Sequence, residues 1–129
     1  RRMMHLTGLE MHENQARRLL NDIDSYRYVA GLEQDERAAA RRWVTDVYEA
    51  VLQRIPRDLR SKFEGPKLVN EVLSHRWNTA ERQGSDVGLE AATDDYVATI
   101  LPAKPDEAAV LGPPVDDPDA PDDVDASGP

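Results

Sequence analysis

The sequence predicts an all-α protein, an irregular antiparallel bundle of about four main helices followed by a disordered, acidic tail rich in proline. Three observations support this prediction. Apolar residues recur every three or four positions through most of residues 1–101, as on one face of an α-helix. The segments between these patterns are short, which favours antiparallel neighbours, and no segment alternates like a half-buried strand.

The first helical pattern starts after Thr7 and stops at Gly31. Thr7 and Glu10 fit a capping box, and glycine commonly follows the last residue of a helix. Residues 1–6 are expected to be the last turns of a preceding helix. The apolar face of the first pattern consists of Ala16, Leu19, Leu20, Ile23, Tyr26 and Ala30.

The second pattern starts near Asp35 and ends before Pro56, because proline disfavours the helical conformation in the residue before it. Pro56 can itself begin a short helical turn that runs to Phe63. An apolar stripe predicts that one face of the second helix lies in the core. The stripe consists of Ala40, Trp43, Val44, Val47, Tyr48, Val51 and Ile55.

The third helix is expected to begin near Pro66 and to stop at Gly84. The fourth is expected to start at Ser85 or Asp86 and to stop at Pro102. The inward face expected for the third helix consists of Val69, Val72, Leu73, either Arg76 or Trp77, and Ala80. That of the fourth consists of Leu89, Ala92, Tyr96, Val97 and Ile100.

The composition changes abruptly after residue 101. Residues 102–129 hold seven of the nine prolines, eight acids and one base, so they carry −7 of the net charge of −9, and residues 1–101 carry −2. A segment of this kind has too little apolar surface to offset its ordering entropy. We therefore predict a helical domain over residues 1–101 and a disordered acidic tail over residues 102–129.

Composition also excludes several classes of protein. The chain has no cysteine, which excludes disulfides, thiolate catalysis and cysteine-based zinc sites. It has no apolar run of the roughly 18 residues that span a bilayer and no visible signal peptide, so the simplest compartment is the cytoplasm. Because the chain opens on Arg1 rather than methionine, we expect a piece of a longer protein, although a processed or engineered terminus would look the same.

No complete catalytic or metal-binding set of residues is visible. His75 lies four residues after Glu71 and so on the same helical face, but no third metal ligand accompanies them. A small enzyme using Glu71, His75 and Glu81 is the weakest alternative, because these residues do not complete a catalytic constellation. The sequence predicts no catalytic, cofactor-binding or metal-binding residue in this chain.

Basic residues cluster around the connection from Pro56 to Pro66. We call this cluster the basic elbow and define it by five cations, Arg54, Arg57, Arg60, Lys62 and Lys67. It is a candidate site for phosphate, an acidic lipid headgroup or an acidic partner. Because Asp58 and Glu64 interrupt it, a solvated surface loop is the competing interpretation. Nucleic-acid binding is disfavoured, since residues 1–101 are slightly acidic and the tail would repel phosphate.

Four large aromatic residues at helical spacing are expected in the core or at an interface. If a neighbouring part of the protein is missing, a stripe left uncovered would be the face that docks onto it. We therefore treat these residues as a candidate docking face, which consists of Trp43, Tyr48, Trp77 and Tyr96.

Two long phrases resemble a known family. LTGLEMHENQARRLLNDIDSYR (Leu6–Arg27) and HRWNTAERQGSDVGLEAATDDYVATIL (His75–Leu101) are similar to a C-terminal domain of unknown function found in actinobacterial proteins. In that family the domain follows an N-terminal region that resembles lipopolysaccharide kinases of the Kdo/WaaP type, which have a protein-kinase-like fold. The resemblance covers residues 1–102 and leaves the acidic tail outside.

The resemblance implies that the upstream region binds ATP and magnesium and transfers phosphate, and that this chain holds no cofactor. No catalytic residue carries over. The implied function is a non-catalytic accessory or docking module that packs against the kinase-like region, or against a protein partner, through the aromatic face. The alternative is an independent adaptor that binds an anionic ligand or an acidic partner at the basic elbow.

Overall fold

The computed structural model describes residues 2–107, and these residues form helices and no β-strand. The all-α prediction is therefore confirmed. The described residues divide into two compact units, residues 2–46 and residues 47–107. The disorder predicted for the tail lies outside the described residues from position 108 onward.

Three helices build the first unit, α1 (Arg2–Thr7), α2 (Glu13–Val29) and α3 (Glu36–Trp43). α1 confirms the helix expected over residues 1–6, but the capping box at Thr7 is wrong. Thr7 is the last residue of α1, which ends where Gly8 takes the left-handed conformation with a φ of 78°. The Thr7 hydroxyl donates to the Met3 carbonyl at 2.6 Å and accepts from the Leu9 N–H at 3.1 Å. α2 therefore begins six residues after Thr7 rather than beside it.

The start of α3 and the end of α2 agree with the positions predicted from the sequence. Asp35 caps α3, with its Oδ1 accepting a hydrogen bond from the Ala38 N–H at 3.0 Å. α2 ends at Val29, and the chain turns through Gly31, whose φ of 73° favours glycine. α2 and α1 both pack against α3. The buried side chains of these helices include Met3, Leu19, Ile23, Ala39, Ala40 and Trp43.

The apolar stripe before Pro56 forms a helical run with a change of winding in its middle. After α3 the chain takes a π-helical stretch, Val44–Glu49, and then resumes as α4 (Ala50–Arg54). Ile55 is extended, with a ψ of 124°, as expected before proline. The prediction of one continuous α-helix is therefore wrong at the π-helical stretch, which no motif in the sequence indicated.

The second unit contains α4, α5 (Arg57–Arg60), α6 (Gly65–Gln83), α7 (Leu89–Thr99) and a 3₁₀ turn, Leu101–Ala103. α6 packs against α7, and α4 packs against both. Gly84 ends α6 in the left-handed conformation, as predicted. The predicted start of α7 at Ser85 or Asp86 is wrong, because the Asp86 carboxylate accepts from Arg76 and the helix begins at Leu89.

The helices of the second unit share one apolar interior. Its buried residues include Val51, Ile55, Phe63, Leu68, Val69, Val72, Ala92, Tyr96 and Leu101. Residues 102–107 were assigned to the tail by the sequence, yet the Glu107 N–H donates to the Lys62 carbonyl at 2.8 Å. Within residues 2–107, none of the helices has both the length and the apolar character needed to cross a bilayer.

Candidate functional site

Three of the four aromatic residues in the candidate docking face are buried. The exposed fraction is 0% for Trp43, 6% for Tyr48 and 1% for Tyr96. These three side chains present almost no surface to a partner, so their assignment to a docking face is corrected. Trp77 differs from them, because 66% of its surface is exposed.

The buried aromatic side chains place their polar tips against other groups of the chain. The Trp43 indole N–H donates to Asp22 Oδ2 at 2.7 Å, and the Tyr96 hydroxyl donates to Glu71 Oε1 at 2.8 Å. Burial, followed by the hydrogen bond to Glu71, raises the Tyr96 pKa well above its usual range. These contacts satisfy the polar atoms that burial removes from water.

Tyr48 lies on the π-helical stretch, and its hydroxyl approaches the first residue of α6 closely. A Cβ placed on Gly65 would lie 2.7 Å from the Tyr48 hydroxyl oxygen, so any larger residue there would force the Tyr48 side chain to shift. Burial, with a smaller contribution from the charge of Glu64, raises the Tyr48 pKa to about 12. The hydroxyl is therefore kept protonated and packed against the backbone of α6.

Trp77 lies on a part of α6 that is held by charged contacts on both preceding residues. Arg76 donates two hydrogen bonds to the Asp86 carboxylate, at 2.8 and 2.7 Å. The pKa of Asp86 falls to about 2, chiefly because of the bonds from Arg76 and also because backbone N–H groups donate to it. His75 Nε2 lies 2.6 Å from Asp95 Oδ2 on α7. The exposed indole of Trp77 therefore projects from a segment of α6 that is fixed in place by the contacts of His75 and Arg76.

The helical wheel explains why Trp77 is outside the core. Trp77 follows the buried Val72 by five residues, which rotates it by about 140° around the helix axis. Arg76 is nearer to the buried face, and this decides the alternative that the sequence left open. Small or polar residues complete that face, since Asn70 and Thr79 are buried on α6.

Four of the five cations of the basic elbow already have partners in the chain. Arg54 binds both oxygens of Asp94, at 3.0 and 2.6 Å, which raises the Arg54 pKa and lowers the Asp94 pKa. Arg60 Nε donates to the Ile55 carbonyl at 2.9 Å. Lys62 Nζ donates to the Lys104 carbonyl at 2.9 Å, and Lys67 Nζ lies 3.1 Å from Glu107 Oε1.

Arg57 differs from the other elbow cations because it is exposed and makes no ion pair within residues 2–107. Arg60 is also without an acidic partner in that range, because its Nε donates to a backbone carbonyl. The elbow therefore offers two arginines to an anion, while Arg54 and Lys67 are neutralised by acids of the chain itself.

The residues considered for catalysis have separate partners. Glu71 accepts from Tyr96, whereas His75 contacts Asp95, and Glu81 is exposed. Within the described part of the chain, no three His, Asp or Glu side chains are grouped so that they could hold a metal ion.

Sequence reasoning missed the segment that covers part of the basic elbow. We call this segment, Leu101–Glu107, the strap. Leu101 is buried and the strap contacts Lys62 and Lys67. Its proline and acidic residues made it look like the start of the tail. The available signal was Leu101 itself, an apolar residue followed within six positions by acids that can reach the elbow.

A family model described as "Domain of unknown function (DUF4032)" matches residues 1–101, which contain all seven α-helices described above. No curated protein and no solved structure gives a significant match to the chain.

Proposed function

The chain belongs to the DUF4032 family, and from that premise we propose that it is a non-catalytic docking module of a lipopolysaccharide-kinase-like protein. The module packs against an upstream kinase-like region of an actinobacterial, cytoplasmic protein, and that region binds ATP and magnesium. The observation that supports docking is the exposure of Trp77. The resemblance of the two long sequence phrases supports the choice of partner.

The chemistry of Trp77 suits an anchor of a protein interface. Tryptophan is enriched among the residues that dominate binding energy, and its burial removes about 200 Å² of surface from water. The ion pair of Arg76 and the contact of His75 brace α6 beside it. Because the helix is already ordered, docking loses little conformational entropy there.

The test measures binding of the chain to the kinase-like region, expressed as a separate polypeptide, by titration calorimetry. Trp77→Ala is expected to weaken binding about 30-fold, as for a central interface residue. Tyr28→Ala is the matched control, because Tyr28 is also a highly exposed aromatic residue but lies in the first unit. It should change affinity less than about twofold.

The same comparison can contradict the proposal. Equal affinity of the Trp77→Ala variant and the unsubstituted chain, with helical content preserved in both, excludes Trp77 as the anchor. A loss of affinity in Tyr28→Ala alone would move the docking face to the first unit. The kinase-like assignment has its own test, because the coding sequence upstream of Arg1 is expected to encode a nucleotide-binding lysine and metal-binding aspartates.

A second function is an adaptor that binds a phosphate-type anion at the basic elbow. The exposed Arg57, together with Arg60 beside it, favours this function because neither has an acidic partner within residues 2–107. Guanidinium groups match the geometry of phosphate oxygens and remain charged at any physiological pH.

Charge reversal tests the adaptor function with inorganic pyrophosphate as the probe. The variant with Arg57→Glu and Arg60→Glu is expected to lose at least about tenfold in affinity, since two charge-assisted contacts disappear. The matched control, Arg17→Glu with Arg82→Glu, changes the net charge equally at other sites. Equal weakening by both variants would show general charge attraction instead of an elbow site.

A further inference from the structure

The strap and the basic elbow are joined by reciprocal contacts of Lys62. The Lys62 carbonyl accepts from the Glu107 N–H at 2.8 Å, while its Nζ donates to the Lys104 carbonyl at 2.9 Å. Both the main chain and the side chain of this residue are therefore held by the strap. The buried Leu101 anchors the beginning of the strap in the interior of the second unit.

The lysines of the chain are concentrated at this contact. The sequence contains three lysines, Lys62, Lys67 and Lys104. Lys67 Nζ lies 3.1 Å from Glu107 Oε1 and 4.4 Å from the centre of the Phe63 ring, and Lys104 Nζ lies 3.9 Å from Glu71 Oε1. Each of the three lysine amines thus makes a contact to the strap or from it.

These contacts are suited to reversible closure. The side chains of Lys67 and Glu107 are 27% and 37% exposed, so their attraction is weakened by solvent and salt. The closed strap also buries Asp106 Oδ1, which has no hydrogen-bond partner among the described residues. A buried carboxylate oxygen without a partner disfavours the closed arrangement.

We propose that the strap is an electrostatic latch that shields Lys62 and Lys67. When closed, it leaves Arg57 and Arg60 as the elbow cations available to an anion. When open, it adds two ammonium groups to them, so a multiply charged phosphate-type ligand competes with Glu107 and favours opening. The shielding stands on the contacts above, whereas the competition rests on the adaptor function proposed for the elbow.

Amine acetylation of the full chain measures the latch directly, with each lysine followed by peptide mass spectrometry. All three lysines are expected to react more slowly in the folded chain than in urea. Glu107→Gln should increase the rate at Lys67 about threefold, the factor that one partly exposed ion pair supports. Glu81→Gln is the matched control, because Glu81 is exposed and lies away from the strap contacts, and it should change no rate.

Asp106→Ala gives the opposite expectation and keeps the test independent of folding defects. Removing the unsatisfied carboxylate should favour closure and slow acetylation of Lys62 and Lys67. The latch is overturned if the lysines react as fast in the folded chain as in urea, or if Glu107→Gln leaves Lys67 unchanged in a chain of normal helical content.

The competition is tested with pyrophosphate and with phosphatidylcholine vesicles that contain or lack phosphatidic acid. Tighter binding to Glu107→Gln than to the unsubstituted chain supports the competition, and the preferred probe shows whether the phosphate is free or part of a lipid. Equal affinities overturn it. If acetylation behaves as expected but neither probe binds, the latch holds and the adaptor function fails.

Discussion

The two units of this protein place their tryptophans in opposite environments. Trp43, in the first unit, is fully buried and donates its indole N–H to Asp22. Trp77, in the second, is exposed on a helix whose buried positions are taken by smaller residues. Both lie in helices with apolar neighbours at helical spacing, so the difference teaches that rotation about the helix axis, rather than residue type, decides which tryptophan supports the core.

The largest expected difference is in stability. Trp43→Ala should lower the free energy of unfolding by about 3–5 kcal/mol, because it creates a cavity and removes the donor to Asp22. Trp77→Ala should change it by less than about 0.5 kcal/mol, as for an exposed residue. Urea denaturation followed by circular dichroism measures both. Comparable losses in the two variants would contradict the opposite placement.

A substitution at Gly65 tests how rigidly the buried Tyr48 side chain is held in the second unit. Gly65→Ala should destabilise the protein by about 1 kcal/mol, because the new methyl group overlaps the Tyr48 hydroxyl. Adding Tyr48→Phe removes that oxygen and should recover most of the loss, so the two changes are coupled. Additive effects in urea denaturation would show that the hydroxyl moves aside without resistance.

Burial of Tyr96 makes the stability of the second unit depend on pH in alkaline solution, whereas the exposed Trp77 in the same unit has no such effect. The Tyr96 pKa is raised in the folded protein, so above about pH 10 the unfolded chain loses its phenolic proton while the folded chain retains it. The contribution of Tyr96 to stability should be constant below that pH and fall above it, and Tyr48, whose pKa is also raised, adds to the same fall. Tyr96→Phe should flatten this fall in pH-dependent thermal unfolding. An equally steep fall in the variant would assign the effect to other groups.

The smallest expected effect concerns the ion pair beside Trp77. The Asp86 pKa of about 2 lies below the unfolded value of about 4, so its contribution is complete above pH 4 and is lost as pH falls toward 2. Because the pair is half exposed, Asp86→Asn should cost about 0.5 kcal/mol at neutral pH. The variant and the unsubstituted chain should become equally stable in acid, and a gap that persists at low pH would contradict the ionic explanation.

Much of the fold was predictable because most helix ends are determined by local sequence. Asp35, Pro56 and Gly84 act through their own backbone or side-chain geometry, and each one marks a helix end as expected. The start of α7 was not predictable, because the Asp86 carboxylate could either cap the helix or bind Arg76 ten residues away, and it binds Arg76. Tertiary contacts of that kind leave no trace in local spacing.

The candidate site was less predictable than the fold. Sequence spacing placed four aromatic residues in one class, but it could not determine the rotation of α6 that exposes Trp77, whereas Tyr96 on α7 is buried. The basic elbow was visible as a charge cluster. Its partners were not, since Asp94 and Glu107 each lie 40 residues beyond the cation that they neutralise.

The most direct test of the docking proposal is fluorine NMR of the chain labelled with 5-fluorotryptophan, which gives one resonance for each tryptophan. Alone in solution, Trp77 should show a solvent-isotope shift and Trp43 should show none, in keeping with their exposures. On saturation with the proposed kinase-like region, the Trp77 resonance should move and lose its isotope shift while the Trp43 resonance stays unchanged. A Trp77 resonance that keeps its position and isotope shift in the complex would contradict docking through this residue.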